Sequence, residues 1–218
     1  MSIANSIHHS NEVYNYFKRL KLGLFLSDIY IRHLMTIIIS VFVYGYRGKT
    51  GDFAKAGFHH RTTIAHFLNH GIWDSSRLEK VLKANVIRMI YQESILSGKP
   101  IFCIVDDTIA SHTKPSSQAE HPIEAAYFHQ SHLKGCQDYG HQAVSVMLSC
   151  NGITLNYAMI LYDKSKSKIQ IVQEIAEDLP SASVVSYFLC DSWYTSVKVM
   201  DSFIHTGNSG FLHQTLAN

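Results

Sequence analysis

Two short segments of the chain end apolar runs on aspartate. Residues 101–108 read Ile-Phe-Cys-Ile-Val-Asp-Asp-Thr, and residues 184–194 read Val-Val-Ser-Tyr-Phe-Leu-Cys-Asp-Ser-Trp-Tyr. A short apolar run bounded by polar residues predicts a buried strand. Asp106, Asp107 and Asp191 then fall at strand tips, held rigidly at an edge open to water, metal and substrate. If the two strands are neighbours, these acids can hold divalent cations, which prefer carboxylate oxygens. A pair of such ions can activate an attacking oxygen and stabilise the leaving oxygen of a phosphodiester. Asp106 and Asp107 point to opposite faces of a strand, so one can ligate while the other orients local backbone. Aspartates also end strands simply as turn residues, and spacing alone leaves both readings open.

Other chemistry-bearing residues are scattered. Fourteen histidines are many, and His112, His121, His129, His132 and His141 fall within or beside one polar stretch. His129 and His132 stand at i, i+3 without an obvious third zinc ligand. Lys114 and Lys134 belong to the same stretch and could contact phosphates, or simply be solvated. Lys164, Lys166 and Lys168 form a basic run, first read as a solvated face. Trp193 and Tyr194 are expected to pack a helix base against a sheet. Glu120 and Glu124 could fold towards the metals or lie on the surface, and Glu174 and Glu177 read as exposed charge.

The elements that carry these residues divide at a Gly98-Lys99-Pro100 break. Residues 11–47 read as helical, with a second helix starting at Ser27-Asp28 and Gly45, Gly48 and Gly51 interrupting the pattern. Thr62 or Thr63 can cap a short helix whose apolar face is Ile64, Phe67 and Leu68. Gly71 ends it, and a longer helix runs from Asp74 or Ser75 to Ser97. Helix, glycine turn and longer helix match a helix-turn-helix, which would bring Arg61, Thr62 and Thr63 to DNA. Any helical hairpin produces the same pattern.

After Pro100 the texture changes. Residues 101–105 read as a strand, 109–140 as a long polar connection, and 141–150 as a second strand. Asn151-Gly152 is a hairpin turn signal, followed by a third strand at 153–162. A helix at 165–179 ends at Pro180, a fourth strand covers 184–190, and a helix follows at 193–205. The order β-β-β-α-β-α predicts a mixed sheet with helices packed on it. It is also how the RNase H-like fold begins.

Composition bounds the rest. The chain has 218 residues, 46% of them hydrophobic, which excludes a disordered polypeptide. A formal net charge of +2 permits nucleic-acid binding without requiring it. The four cysteines form no CxxC pair, which argues against a zinc ribbon. Cys103 and Cys190 sit in the apolar runs, as small buried hydrophobes do. The N-terminus lacks the apolar core of a signal peptide, and the apolar stretch from Leu34 to Tyr44 is too short to span a membrane. A cytoplasmic protein is expected.

Several blocks together resemble the DDE transposases of bacterial insertion sequences. They are Val105-Asp106-Asp107-Thr108, Lys114 to Gln118, His121 to Glu124, Ser131 to Gly135 with Gly140-His141-Gln142, Tyr162 to Ser165, and Cys190 to Tyr194. The resemblance covers roughly residues 100–200. It implies an α/β chain: an N-terminal all-helical, DNA-binding domain over 1–98, then an incomplete RNase H-like mixed sheet with flanking helices over 99–218. It implies metal-dependent cleavage and strand transfer at insertion-sequence ends, with Mg²⁺ or Mn²⁺ as cofactor and a nucleoid-associated location. Its partners would be element ends, target DNA, and a second copy or an intact transposase. The catalytic aspartates carry over to Asp107, directly before Thr108, and Asp191, with Asp106 as alternative metal ligand. The family's third acid, a downstream glutamate, has no counterpart, and residues 211–218 do not read as the strand that should precede it. The resemblance therefore implies a truncated, inactive or impaired copy, or a non-catalytic DNA-binding remnant.

Overall fold

The computed structural model describes residues 3–45, 49–56, 58–117, 123–131, 134–181, 184–205 and 210–214. No helix among them is long and apolar enough to cross a membrane. The chain divides into two compact units, Met1–Leu82 and Lys83–Asn218.

The first unit is helical. Helix α1 covers Ile3–Arg19 and α2 covers Asp28–Tyr44, begun at Ser27 as the sequence predicts and ended at Gly45 in the left-handed region (φ 73°). A short α3, Thr50–Phe53, contains Gly51, which therefore does not break helix; Gly48 lies outside the described residues. Helix α4 is Arg61–His70 and ends at Gly71, and α5 is Ser75–Ser97. The cap of α4 is not Thr62 or Thr63: the His60 ring accepts from the Thr62 N–H. Asp74 caps α5, accepting from the Arg77 N–H at 2.8 Å. Phe17, Leu20, Leu22 and Leu26 form the core, with Leu34, Ile38, Leu78 and Val81 packed against it. Polar side chains buried in α2 return to backbone, as burial demands: Thr36 donates to Arg32 O and Ser40 to Phe53 O, both at 2.8 Å.

The second unit is built on a six-stranded mixed sheet, counted among the described residues. Its strands are β1 Ile101–Ser111, β2 Tyr127–Ser131, β3 Cys136–Cys150, β4 Ile153–Tyr162, β5 Ser186–Asp191 and β6 Gly210–Gln214. Helices α6, Lys168–Asp178, and α7, Val197–His205, complete it. Strand β3 pairs antiparallel with β1 on one edge. On its other edge β2 lies against residues 136–140 and β4 against residues 142–150. Strand β5 runs parallel to β1, and β6 parallel to β5. The turn from β3 to β4 is the expected Asn151-Gly152, with φ of 49° and 83°.

Three expectations change here. Strand β1 continues six residues past Val105, to Ser111, because residues 106–111 keep pairing with β3. The connection over 109–140 contains β2 and the start of β3, a ribbon whose polar composition hides it from an apolar-pattern search. Residues 210–214 do form a strand, since β5 offers them a free parallel edge.

Alternation decides the faces. Cys103, Val105, Val144, Val146, Leu148, Phe188 and Cys190 join one core cluster with Val172 and Ile175 of α6 and Val199 and Phe203 of α7. Val86 and Ile90 of α5 join the same cluster. The units therefore divide within α5, upstream of the Gly98-Lys99-Pro100 break. The opposite face carries Phe102 stacked on Tyr187 (5.7 Å between centroids), with Met147, Met159 and Leu161 exposed.

Candidate active site

The last parallel pair between β1 and β5 is Val105 with Cys190. Asp106 and Asp191 each follow that pair, so they occupy matching positions on adjacent strands. Strand alternation turns both away from the helix-covered face, and both are exposed. Asp106 accepts the Asp107 backbone N–H at 2.8 Å. After Asp191 the chain leaves the sheet in a 3-10 turn, Ser192–Tyr194.

Asp107 faces the other way, under the helices. Its Oδ2 accepts from Lys168 Nζ at 2.7 Å and from Gln142 Nε2. Asp107 and Lys168 side chains are only 23% and 19% exposed, so this pair is shielded from solvent. The resemblance favours Asp107 as the partner of Asp191, whereas register and side-chain direction bring Asp106 to it. None of the aspartates lies at the tip of β1; Asp106 and Asp107 stand where β1 outruns its parallel neighbour.

Tyr194 belongs to the helix-covered core, the side on which Asp107 lies. It is fully buried, and its hydroxyl makes no well-formed hydrogen bond. Burial pushes the phenol far above its ordinary range, and the charges of Asp107, Asp106 and Asp191 push it further. A phenol so raised is neutral. Trp193, expected to pack with it, is instead 66% exposed.

Among the described residues no group of three His, Cys, Asp or Glu side chains is arranged to hold a metal ion. Mg²⁺ can be held by one or two carboxylates completed by water and substrate phosphate. The matching Asp106 and Asp191 positions fit that donor set, while Asp107 is engaged by Lys168.

The other expected residues disperse. Arg61, Thr62 and Thr63 are exposed on the first turn of α4, in the helical unit. Lys114 is exposed, with its ammonium 5.2 Å from the centre of the Phe128 ring. Lys134 is bound to Asp138 at 2.7 Å, which cancels its charge locally and holds the Asp138 carboxyl below its ordinary range. His112 and His141 meet at 2.9 Å, and His141 donates to the Glu124 carbonyl at 2.8 Å. Glu120, His121 and His132 lie outside the described residues. Lys166 pairs with Glu174 on the surface at 2.8 Å. The Ser202 hydroxyl donates to Glu177 at 3.0 Å.

Tyr194 packs into the core as expected, whereas the contacts of Gln142 and Lys168 with Asp107 are ones that pattern reading did not foresee. Gln142 had a signal: it is the one polar residue in the inward series Gln142, Val144, Val146, Leu148. Lys168 had another, because a cation at the first position of a helix opposes the helix dipole.

An apolar cavity of about 460 Å³ lies between Phe17, Leu20, Leu34 and Leu78 of the helical unit. Its wall is hydrocarbon apart from Glu12 and the Tyr16 ring, so it offers little for catalysis. Comparison with known proteins returned no family model, curated protein or solved structure that matches the chain.

Proposed function

We propose that the second unit is an RNase H-like domain of the DDE transposase type, acting on the phosphodiester backbone of DNA at insertion-sequence ends. The observation that carries this reading is the pairing of Asp106 and Asp191 at matching positions of neighbouring parallel strands. The sheet order is compatible with it: four strands come first, with β3 antiparallel to β1, β2 and β4, and then β5 and β6 run parallel to β1. Asp106 and Asp191 would hold Mg²⁺ or Mn²⁺ on the exposed face. When bound, such an ion supplies Lewis acidity to the scissile phosphate and the leaving oxygen. Asp107, clamped by Lys168 and Gln142, fixes the backbone that carries Asp106. Tyr194 fills the core on the side of Asp107 and excludes water there.

A second reading, a DNA-binding remnant without strand cleavage, is favoured by one feature. The Lys168–Asp107 pair removes one carboxylate from metal binding.

One assay separates the readings. Purified protein is incubated with labelled duplex ends in Mg²⁺ or Mn²⁺, and products and binding are both followed. Cleavage products lost on Asp106→Asn and on Asp191→Asn support the catalytic reading. Salt-dependent binding with no products in either metal supports the remnant. Absence of any binding would sink both.

A further inference from the structure

A row of three rings with a lysine at each end leads away from Asp107 along one face of the sheet. Lys168, 2.7 Å from Asp107, holds its ammonium 5.7 Å from the centre of the Tyr162 ring. Tyr162 lies 6.0 Å from His129, and His129 lies 6.3 Å from Tyr127. Lys164 closes the row, 4.8 Å over Tyr127. Register explains the line-up. Tyr127 and His129 alternate onto the same face as Gln142 and Tyr162, where β2 and β4 follow one another along β3.

Core packing does not account for the outer half of this row. Tyr127 is 38% exposed, and Lys164 is exposed in the left-handed conformation (φ 67°). A non-glycine residue there carries strain. Asp163, accepting from the Ser165 N–H and hydroxyl, holds the turn, and Lys164 Nζ reaches the Phe128 carbonyl at 3.4 Å. Beneath it His129 is buried, with Nε2 unpaired.

We infer that this row seats an unpaired nucleic-acid strand, with a phosphate on Lys164 and a base on Tyr127. Ammonium groups track a phosphate backbone, and aromatic faces take bases of any sequence. In a duplex the base faces are already stacked on one another, so the occupant is single-stranded. The inference rests on the nucleic-acid reading above and adds the strandedness of the substrate beside the acids.

The test uses fluorescence anisotropy of the full chain in EDTA, with a labelled oligothymidylate and a blunt hairpin duplex as probes. Tyr127→Leu should weaken oligothymidylate binding about tenfold and leave the duplex unchanged. Tyr127→Phe should retain binding. Lys164→Gln should weaken it and lower the salt dependence by about one phosphate contact. Equal losses on both probes, no loss on either, or a Tyr127→Phe defect as large as that of Tyr127→Leu would each overturn the row while leaving duplex binding intact as a separate result. A wild-type chain that binds neither probe would overturn the nucleic-acid reading itself.

Discussion

Lys168 opens α6, where the helix dipole disfavours a cation, and Asp107 offsets that cost. The pair is shielded enough that removing one partner strands the other. Lys168→Met is expected to destabilise the chain by about 1–3 kcal/mol, read as a lower urea midpoint. Adding Asp107→Asn to that variant should recover part of the loss. The cysteines give a second check. Burial pushes the Cys103 thiol up to about 12 and the Cys190 thiol up to about 11, and Cys150 is also buried. Only Cys136 is exposed. Brief N-ethylmaleimide treatment of native protein should add one label, at Cys136, by peptide mass; rapid labelling of Cys103 would contradict the packing. Two histidines set the pH response. Burial, with nearby His59 and Arg32, lowers the pKa of His33; burial, with Lys164 and Lys168, lowers that of His129. Both rings are neutral when folded, so the unfolded chain takes up protons more readily. Their contribution is complete above about pH 6.5 and is lost as pH falls through the folded values. Urea midpoints at pH 7.5 and 5.5 should show the drop, and His129→Gln should shrink it.

Single elements explain why the site has its shape. Helix α6 begins with a capping box, Ser167 accepting from the Gln170 N–H and the Gln170 side chain returning to the Ser167 N–H. That cap fixes where Lys168 starts, and hence its reach to Asp107. Strand β3 is the spine, and Gly140 sits where β1, β2 and β3 meet. A Cβ there would collide with the Ala110 carbonyl. Gly140→Ala should therefore cost on the order of 1–3 kcal/mol through overpacking and weaken the ribbon that carries Tyr127. A variant as stable as the parent in a urea titration would show that the close approach of β1 and β3 is not required.

At the scale of the molecule, two cores define two units, and Val86 and Ile90 of α5 belong to the sheet's core. A fragment beginning at Lys83 should keep a cooperative urea transition. One beginning at residue 99, after the glycine break, leaves the sheet without these two side chains. Full burial of each is worth roughly 1.5–3 kcal/mol, so the shorter fragment should be less stable by several times thermal energy or fail to fold. Equal stability of both fragments would move the boundary back to Gly98.

What the sequence determined by itself was local. Alternation marked β4 residue for residue, Asn151-Gly152 marked its turn, and helical spacing marked α6 and the buried Val172, Ile175 and Ala176. These signals arise from backbone geometry and from which side chains shun water, and both act within a few residues. Tertiary structure alone decided that β1 runs past its aspartates, that polar residues 127–131 and 136–140 pair, and that residues 210–214 complete the sheet. It also decided that Asp106 and Asp191 each follow the last parallel pair of β1 and β5, while Asp107 is held by Lys168. Each depends on a partner strand distant in sequence, and adjacent strand residues differ only in the face they take, which register sets.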